Sequence, residues 1–335
     1  MINQAIKQLL EFKNLDSDIA TSVMNEIMNG DVDEVKIATF LTALRMKGET
    51  PAEITEFVKV LRSKALPMPI EENVIDIVGT GGDGANTFNI STTTSFVVAA
   101  CGAKVAKHGN RSVSSRSGAA DVLEALGINI NTASDTHNIL AETGLTFMFA
   151  PLFHSSMKYV ASARKKMGIR TVFNILGPLI NPVHAQYQLM GVFDSKLVEP
   201  LAEVLNNLNI KRALVVHGND GLDEATLTDF THICEIKDGK LNSYQLDPRK
   251  FGFSLCDPSD LVGGNALENS IITRNILSGV EKGPKRDIVI LNSALALYIY
   301  LDVTIEEGIS LATKAIDQGF ALEKLEKFIK ITTEM

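Results

Sequence analysis

The chain has 335 residues, 45% of them hydrophobic and 21% charged, with a formal net charge of −8. That length allows a large core and two domains, while the negative balance gives the surface no general attraction for nucleic acid or anionic membrane, so any phosphate site must be local. Three widely spaced cysteines (Cys101, Cys234 and Cys256) form no CxxC pair, which supports neither a disulfide framework nor a zinc site and points to a reduced, cytoplasmic protein.

Residues 1–10 read as an amphipathic helix, because no basic stretch followed by a long apolar run marks a signal peptide. The longest apolar run, 96–103, is far too short to span a bilayer. Ile19, Val23, Met24 and Ile27 share one helical face, closed by Asn29-Gly30. Thr50-Pro51-Ala52-Glu53 has capping-box spacing with proline at the first helical position, and Ile54, Phe57, Val58 and Leu61 mark the stripe that follows. Pro67-Met68-Pro69 ends this small helical domain, 1–66, and reads as a linker.

From residue 74 the pattern becomes short β-rich runs alternating with helices. Strands are expected at 74–78, 104–107, 145–149 and 213–217, with 231–236 and 287–291 as further candidates; helices are expected at 91–101, 119–126 and 198–208. Such alternation predicts a large α/β domain over 74–335, with a mostly parallel central sheet and functional loops at the strand C-terminal ends. The less regular segment 160–181 is expected to pack back on the N-terminal helices and join the small domain.

Four segments carry chemistry. Gly79-Thr80-Gly81-Gly82-Asp83-Gly84 follows the first strand and leads to a helix start near Ser91, so backbone N–H groups converge there as phosphate requires. The turn matches G-x-G-x-x-G, yet the next strand ends in basic Lys107-His108-Gly109-Asn110-Arg111 where a dinucleotide fold wants an acid, and Asp83 would repel a directly bound pyrophosphate. An acid beside a polyanion suggests an intervening divalent cation or sugar hydroxyl. Residues 107–118 (KHGNRSVSSRSG) offer cations and hydroxyls, and taken alone would as readily be a solvated basic loop. Placed after the neighbouring strand, this loop and the first suggest a ligand with two phosphate groups. Asp223-Glu224 on a turn can share one hard cation with Ser91, or form an acidic surface turn. Arg164, with Lys165, Lys166 and Arg170, can pair with a carboxylate or simply face solvent. The six histidines form no metal pattern.

Together GTGGDGANTFNIST (79–92), KHGNRSVSSRSGAADVLEALG (107–127), RKKMGIRTVFNILGPLINP (164–182) and GLDEAT (221–226) closely resemble the anthranilate phosphoribosyltransferase family, and the match runs along nearly the whole chain. The resemblance implies Mg²⁺-dependent transfer of phosphoribose from phosphoribosyl pyrophosphate to anthranilate in tryptophan biosynthesis. It also implies a homodimer with the active site between a small helical and a large α/β domain. By motif it assigns Gly79, Gly82, Asp83, Thr87, Asn89, Ile90, Ser91 and Thr92 to phosphoribosyl pyrophosphate. Lys107, His108, Gly109, Asn110, Arg111, Ser112, Val113, Ser114, Ser115 and Ala119 join them. Gly79, Asn110 and Arg164 fall to anthranilate, and Ser91, Asp223 and Glu224 to Mg²⁺. Ala119 departs from a common serine, leaving only its backbone N–H for phosphate. His154-Ser155-Ser156 departs from His-Pro-Ala at the anthranilate entrance. A metal-independent pyrimidine-nucleoside phosphorylase and a non-catalytic polyanion-binding relative stand as alternatives. The Asp223-Glu224 pair speaks against both, and the net charge further against the second.

Overall fold

The computed structural model describes residues 1–68, 70, 72–112 and 116–334. Four helices open the chain: α1 (Ile2–Leu10), α2 (Ser17–Asn29), α3 (Glu34–Lys47) and α4 (Pro51–Lys64). Each of the last three begins at a side-chain cap. Asp16 accepts the Ile19 N–H at 2.8 Å, Asp33 the Lys36 N–H at 3.0 Å, and Thr50 with Glu53 forms a complete capping box. Of the proline linker, Pro69 lies outside the described residues.

The remainder alternates. β1 (Ile75–Gly79), α5 (Ile90–Ala100), β2 (Val105–Gly109), α6 (Ala119–Ala125), α7 (Thr136–Thr143) and β3 (Leu145–Phe149) come first. The short helices α8 (Ala150–Phe153), α9 (Lys158–Met167) and α10 (Phe173–Leu176) follow, then β4 (Tyr187–Gly191), α11 (Val198–Asn207) and β5 (Arg212–Gly218). A hairpin of β6 (Thr231–Lys237) and β7 (Lys240–Leu246) leads into α12 (Ala266–Leu277), α13 (Pro284–Leu301), α14 (Ile305–Asp317) and α15 (Phe320–Glu334). The protein is thus a helical bundle joined to a large α/β domain.

Among the described residues seven strands form one sheet in the order β3-β2-β1-β4-β5-β6-β7. β1 to β5 run parallel, and β6 and β7 add antiparallel. The ladders are unequal. β1 registers against β4 from Ile75 opposite Tyr187 to Gly79 opposite Gly191, and β2 against β3 over its full length, whereas β1 and β2 register only at Ile75 opposite Val105.

One face of the sheet packs on α5, α13 and α15 through residues such as Ile77, Phe96, Leu295 and Phe328. The other face, through Met190, Val192, Val215 and Ile236, shares a core with α11 and α1–α4. Val160, Ala163, Val172, Phe173, Ile175 and Leu176 lie in that same core.

One expected strand is wrong: 287–291 belongs to α13, not to the sheet. Ile288 to Leu297 are all buried, so the run is apolar all round and periodicity cannot separate a strand from an enclosed helix; Pro284 at the first turn was the available signal. Among the described residues no single helix is long and apolar enough to cross a membrane.

Candidate active site

β1 ends in the glycine turn, and Gly81, Gly82 and Gly84 all take positive φ (65°, 78° and 78°), a conformation that side chains resist. The turn is fastened to its neighbours. Thr80 N–H donates to the Gly191 carbonyl at 3.0 Å, Phe193 N–H to Thr80 Oγ1 at 3.1 Å, and Gly81 N–H to Asp223 Oδ2 at 2.6 Å. A Cβ on Gly79 would strike the Asp223 carboxylate, and one on Gly191 the Asp223 carbonyl, so both positions must be bare for the acid to sit there. Asp83 accepts the Ala85 N–H at 3.1 Å. Thr87 bridges to Val262, and Asn89 donates to the Ser117 carbonyl at 3.1 Å while accepting from Asn269 at 2.9 Å. Asn89 opens α5 without a side-chain cap, and the Ile90 N–H donates to the Phe88 carbonyl at 2.7 Å. The side chains of Ile90 and Thr92 are buried; Thr92 Oγ1 has no partner among the described residues.

β2 delivers Lys107, which is buried. Its Nζ donates to the Ile77 carbonyl at 2.5 Å and to Ser91 Oγ at 3.3 Å. Burial pulls the ammonium down, against the pull of Asp76, Glu224 and Asp223. Beyond Gly109 the loop folds on its own helix: Ser112 N–H and Gly118 N–H reach Asp121 Oδ2 at 3.0 and 2.8 Å, and Ala120 N–H reaches the Asn110 carbonyl at 3.2 Å. Ala119 is the first residue of α6. Arg111 pairs with Asp121 at 3.0 Å and Glu124 at 2.5 Å, so the cation expected at phosphate is held by carboxylates here. Asn110 is exposed. Val113, Ser114 and Ser115 lie outside the described residues.

The β5–β6 connection brings in Asp223 and Glu224, both partly exposed. Burial foremost, then the Asp83 carboxylate, pushes Asp223 up to about 7; burial and Asp223 push Glu224 well above the usual carboxylate range. Glu224 faces the Ser91 N–H. The next residue, Ala225, exchanges hydrogen bonds with Asn292 of α13: its N–H donates to Oδ1 at 3.1 Å and its carbonyl accepts Nδ2 at 2.9 Å. Crowded oxygen donors carrying like charge suit a hard divalent cation. Among the described residues no three His, Cys, Asp or Glu side chains form a ready cation cage. That fits Mg²⁺, which takes few protein ligands and completes its shell with water and phosphate.

Arg164 comes from α9. Burial pulls its guanidinium down; it lies over the Phe173 ring at 5.4 Å and forms no ion pair among the described residues. Lys166 pairs with Glu34 at 2.5 Å, and Arg170 donates to the Gly82 carbonyl, tying this segment to α3 and to the glycine turn. Arg62 Nε adds a bond to the Leu179 carbonyl at 2.8 Å.

His108 turns away from the basic loop. Its ring faces the Gly177 carbonyl, packs edge-on against His154 at 5.1 Å and leaves Nε2 without a partner among the described residues. Burial, helped by His154, pulls it down to about 3, and burial pulls His154 to about 4. Ser155 and Ser156 border a groove of about 400 Å³ with Asn29, Lys64 and Tyr159. Neither that groove nor the cavity of about 320 Å³ beside Leu15 and Asn207 reaches the carboxylate pair, which sits among open turns.

Sequence reading missed Asp76, Asn181, Gly191 and Asn292. Asp76, an acid inside an otherwise apolar strand, was the one visible signal.

The model of the glycosyl transferase family helical bundle domain matches residues 3–65, and that of its a/b domain matches 71–322. The chain is 54% identical to the anthranilate phosphoribosyltransferase of Ruminiclostridium cellulolyticum, over 99% of this chain and 98% of that protein. The crystal structure of the Thermus thermophilus anthranilate phosphoribosyltransferase superposes with a TM-score of 0.93 at 38% identity, covering 98% of this chain and 99% of the other. The Saccharomyces cerevisiae protein in complex with PRPP and Mg gives 0.92 at 30% identity, covering all of this chain and 98% of the other; a further structure of it is in complex with 4-fluoroanthranilate.

Proposed function

The chain belongs to the anthranilate phosphoribosyltransferase family, and from that premise we propose which of its residues carry the reaction. The enzyme transfers the 5-phosphoribosyl group of phosphoribosyl pyrophosphate to the amine of anthranilate, giving N-(5-phosphoribosyl)anthranilate and pyrophosphate in tryptophan biosynthesis. In our reading Gly79, Gly82, Asp83, Thr87, Asn89, Ile90, Ser91 and Thr92 hold the donor from the β1 side. Lys107 to Ser112 and Ala119 hold it from the β2 side, with Val113, Ser114 and Ser115 completing that turn by sequence.

Ser91, Asp223 and Glu224 would hold Mg²⁺, which neutralises charge on the departing pyrophosphate. The N-terminal end of α5 and the Lys107 ammonium add fixed positive potential at the same place, already oriented before the bond breaks. Arg164 aligns the acceptor through its carboxylate, with Asn110 and Gly79 beside it. The aromatic amine is neutral near pH 7, so the reading needs no general base. Helices α1–α4 with part of 160–181 act as the small lobe, 1–66, and 74–335 as the large one, closing about the 67–69 linker.

The observation that carries this reading is one convergence. Gly81 N–H on Asp223 and Lys107 Nζ on Ser91, with Glu224 facing the start of α5, bring the ends of β1, β2 and β5 and the start of α5 to a single point. The test follows loss of anthranilate fluorescence with the purified protein: full signal decay with donor and Mg²⁺ is expected, and decay that persists when either is omitted would refute it.

We further assign a homodimer to the outer face formed by α3 and the turn after α1, where Phe12, Val35 and Met46 are exposed. Three free cysteines fit a cytoplasmic location.

A further inference from the structure

Between β1 and β2 the sheet is held by side chains in place of its own ladder. After Ile75 opposite Val105, a regular parallel register would next bond the Ile77 N–H to the Ala106 carbonyl and the His108 N–H to the Ile77 carbonyl. Each of those groups goes to a side chain instead. His108 N–H donates to Asp76 Oδ1 at 3.1 Å, and the Ile77 N–H faces the same carboxylate. The Ala106 carbonyl accepts Asn181 Nδ2 at 2.9 Å, and the Ile77 carbonyl accepts Lys107 Nζ at 2.5 Å. Asn181 Nδ2 also donates to Asp76 Oδ2 at 2.8 Å, and its Oδ1 accepts the Val183 N–H at 3.0 Å. Asp76, Asn181 and Lys107 are all enclosed, at 0%, 2% and 3% exposure.

Burying a carboxylate is costly unless it is fully bonded, and a plain ladder flanked by apolar residues would satisfy the same main-chain groups without that cost. What stands beyond the seam explains the difference. The turn at 79–84 rises from the β1 bank, and the loop that opens at Gly109 rises from the β2 bank. A zipped ladder would bring the strand ends to the ordinary ~4.8 Å spacing and close the space between them. Asn181 belongs to the segment that also carries Arg164, so the same pin sets the acceptor side.

We propose that Asp76 and Asn181 are positioning residues, a buried wedge that keeps β1 and β2 apart at their C-terminal ends and so sets the span between the two donor-holding turns. This rests on the reading that both turns grip phosphoribosyl pyrophosphate.

The experiment compares wild type with Asn181→Ser and Asp76→Asn. Binding of phosphoribosyl pyrophosphate with Mg²⁺ is measured by calorimetry, KM and kcat for each substrate by fluorescence, and folding by circular dichroism and melting. Both variants are expected to raise the donor Kd and KM at least tenfold, with a much smaller change in kcat at saturation. A merely structural role would lower the melting temperature and leave the donor KM in place. A folded variant of either kind with a donor Kd within twofold of wild type overturns the wedge alone. So does a donor-bound wild-type crystal structure in which Ile77 and His108 bond across the seam as a regular ladder, an outcome that needs no variant to fold. A wild type that binds no donor overturns the functional reading and the wedge with it.

Discussion

Asp223 and Glu224 face each other and Asp83 with burial opposing their ionisation, and a divalent cation relieves that conflict. Asp223→Asn combined with Glu224→Gln is expected to cut Mg²⁺-dependent turnover at least ~100-fold, read as initial rates across a Mg²⁺ titration. Among the described residues Arg164 has no carboxylate of its own, which leaves its fork for a ligand. Arg164→Ala should raise the anthranilate KM about 10- to 100-fold, the equivalent of a charged hydrogen bond of about 1.5–3 kcal/mol, and leave the donor KM unchanged. His108 and His154 give a pH signature. Both are held neutral in the fold at values of about 3 and about 4, while the unfolded chain protonates near 6.5. The stability they contribute is complete above that pH and is lost as pH falls towards the folded values, by about 1.4 kcal/mol per pH unit for each. Asp76, pushed up to about 6, Asp223, pushed up to about 7, and Glu224, raised well above the usual carboxylate range, act oppositely as pH falls towards their unfolded values, so the net slope is the difference of the two sets. His154→Gln should remove the His154 share of the slope, about 1.4 kcal/mol per pH unit between pH 6.5 and 4, relative to wild type, checked by urea midpoints at stepped pH; an unchanged slope would contradict the assignment.

Elements that are locally specified were legible. The capped helices α2 and α4, the strands β1, β2, β3 and β5, and the glycine turn each carry their signal within a dozen residues. β7 gave none, because it lies exposed at the sheet edge and reads KLNSYQL, with no apolar alternation. β4 holds a buried Gln188 that donates to the Pro178 carbonyl at 2.7 Å, a polar residue where a central strand is expected to be apolar. The site divides the same way. Its turns could be read singly, but the pairing of Asp76 with Asn181 spans 105 residues and that of Arg170 with Gly82 spans 88, distances no periodicity records. Gly191 illustrates the cost of that blindness. It closes β4 looking like any strand-end glycine, yet its missing Cβ is what admits the Asp223 backbone. Gly191→Ala is expected to displace the Asp223 loop and abolish turnover, while the equally small change Gly221→Ala, with open space around it though at positive φ, costs far less activity; equal rates in the two variants would contradict this.

Across the whole molecule, the two largest hydrophobic cores lie on opposite faces of one sheet, and the small lobe is continuous with only one of them. If the outer face of that lobe is the dimer contact, Phe12→Asp with Val35→Glu should yield monomers in sedimentation, with the α/β domain still folded. Subunits that stay paired would place the contact elsewhere. The other core has its own bearing on catalysis, through the Asn292 clasp on Ala225. Every motif that identifies the family ends by residue 226, yet the anchor of the cation-facing loop sits on a helix more than sixty residues later in the chain. A truncation just before that helix would keep the full set of recognisable signatures and lose the mooring beneath two of its acids. Such a fragment would pass any inspection of its motifs and still fail to capture magnesium.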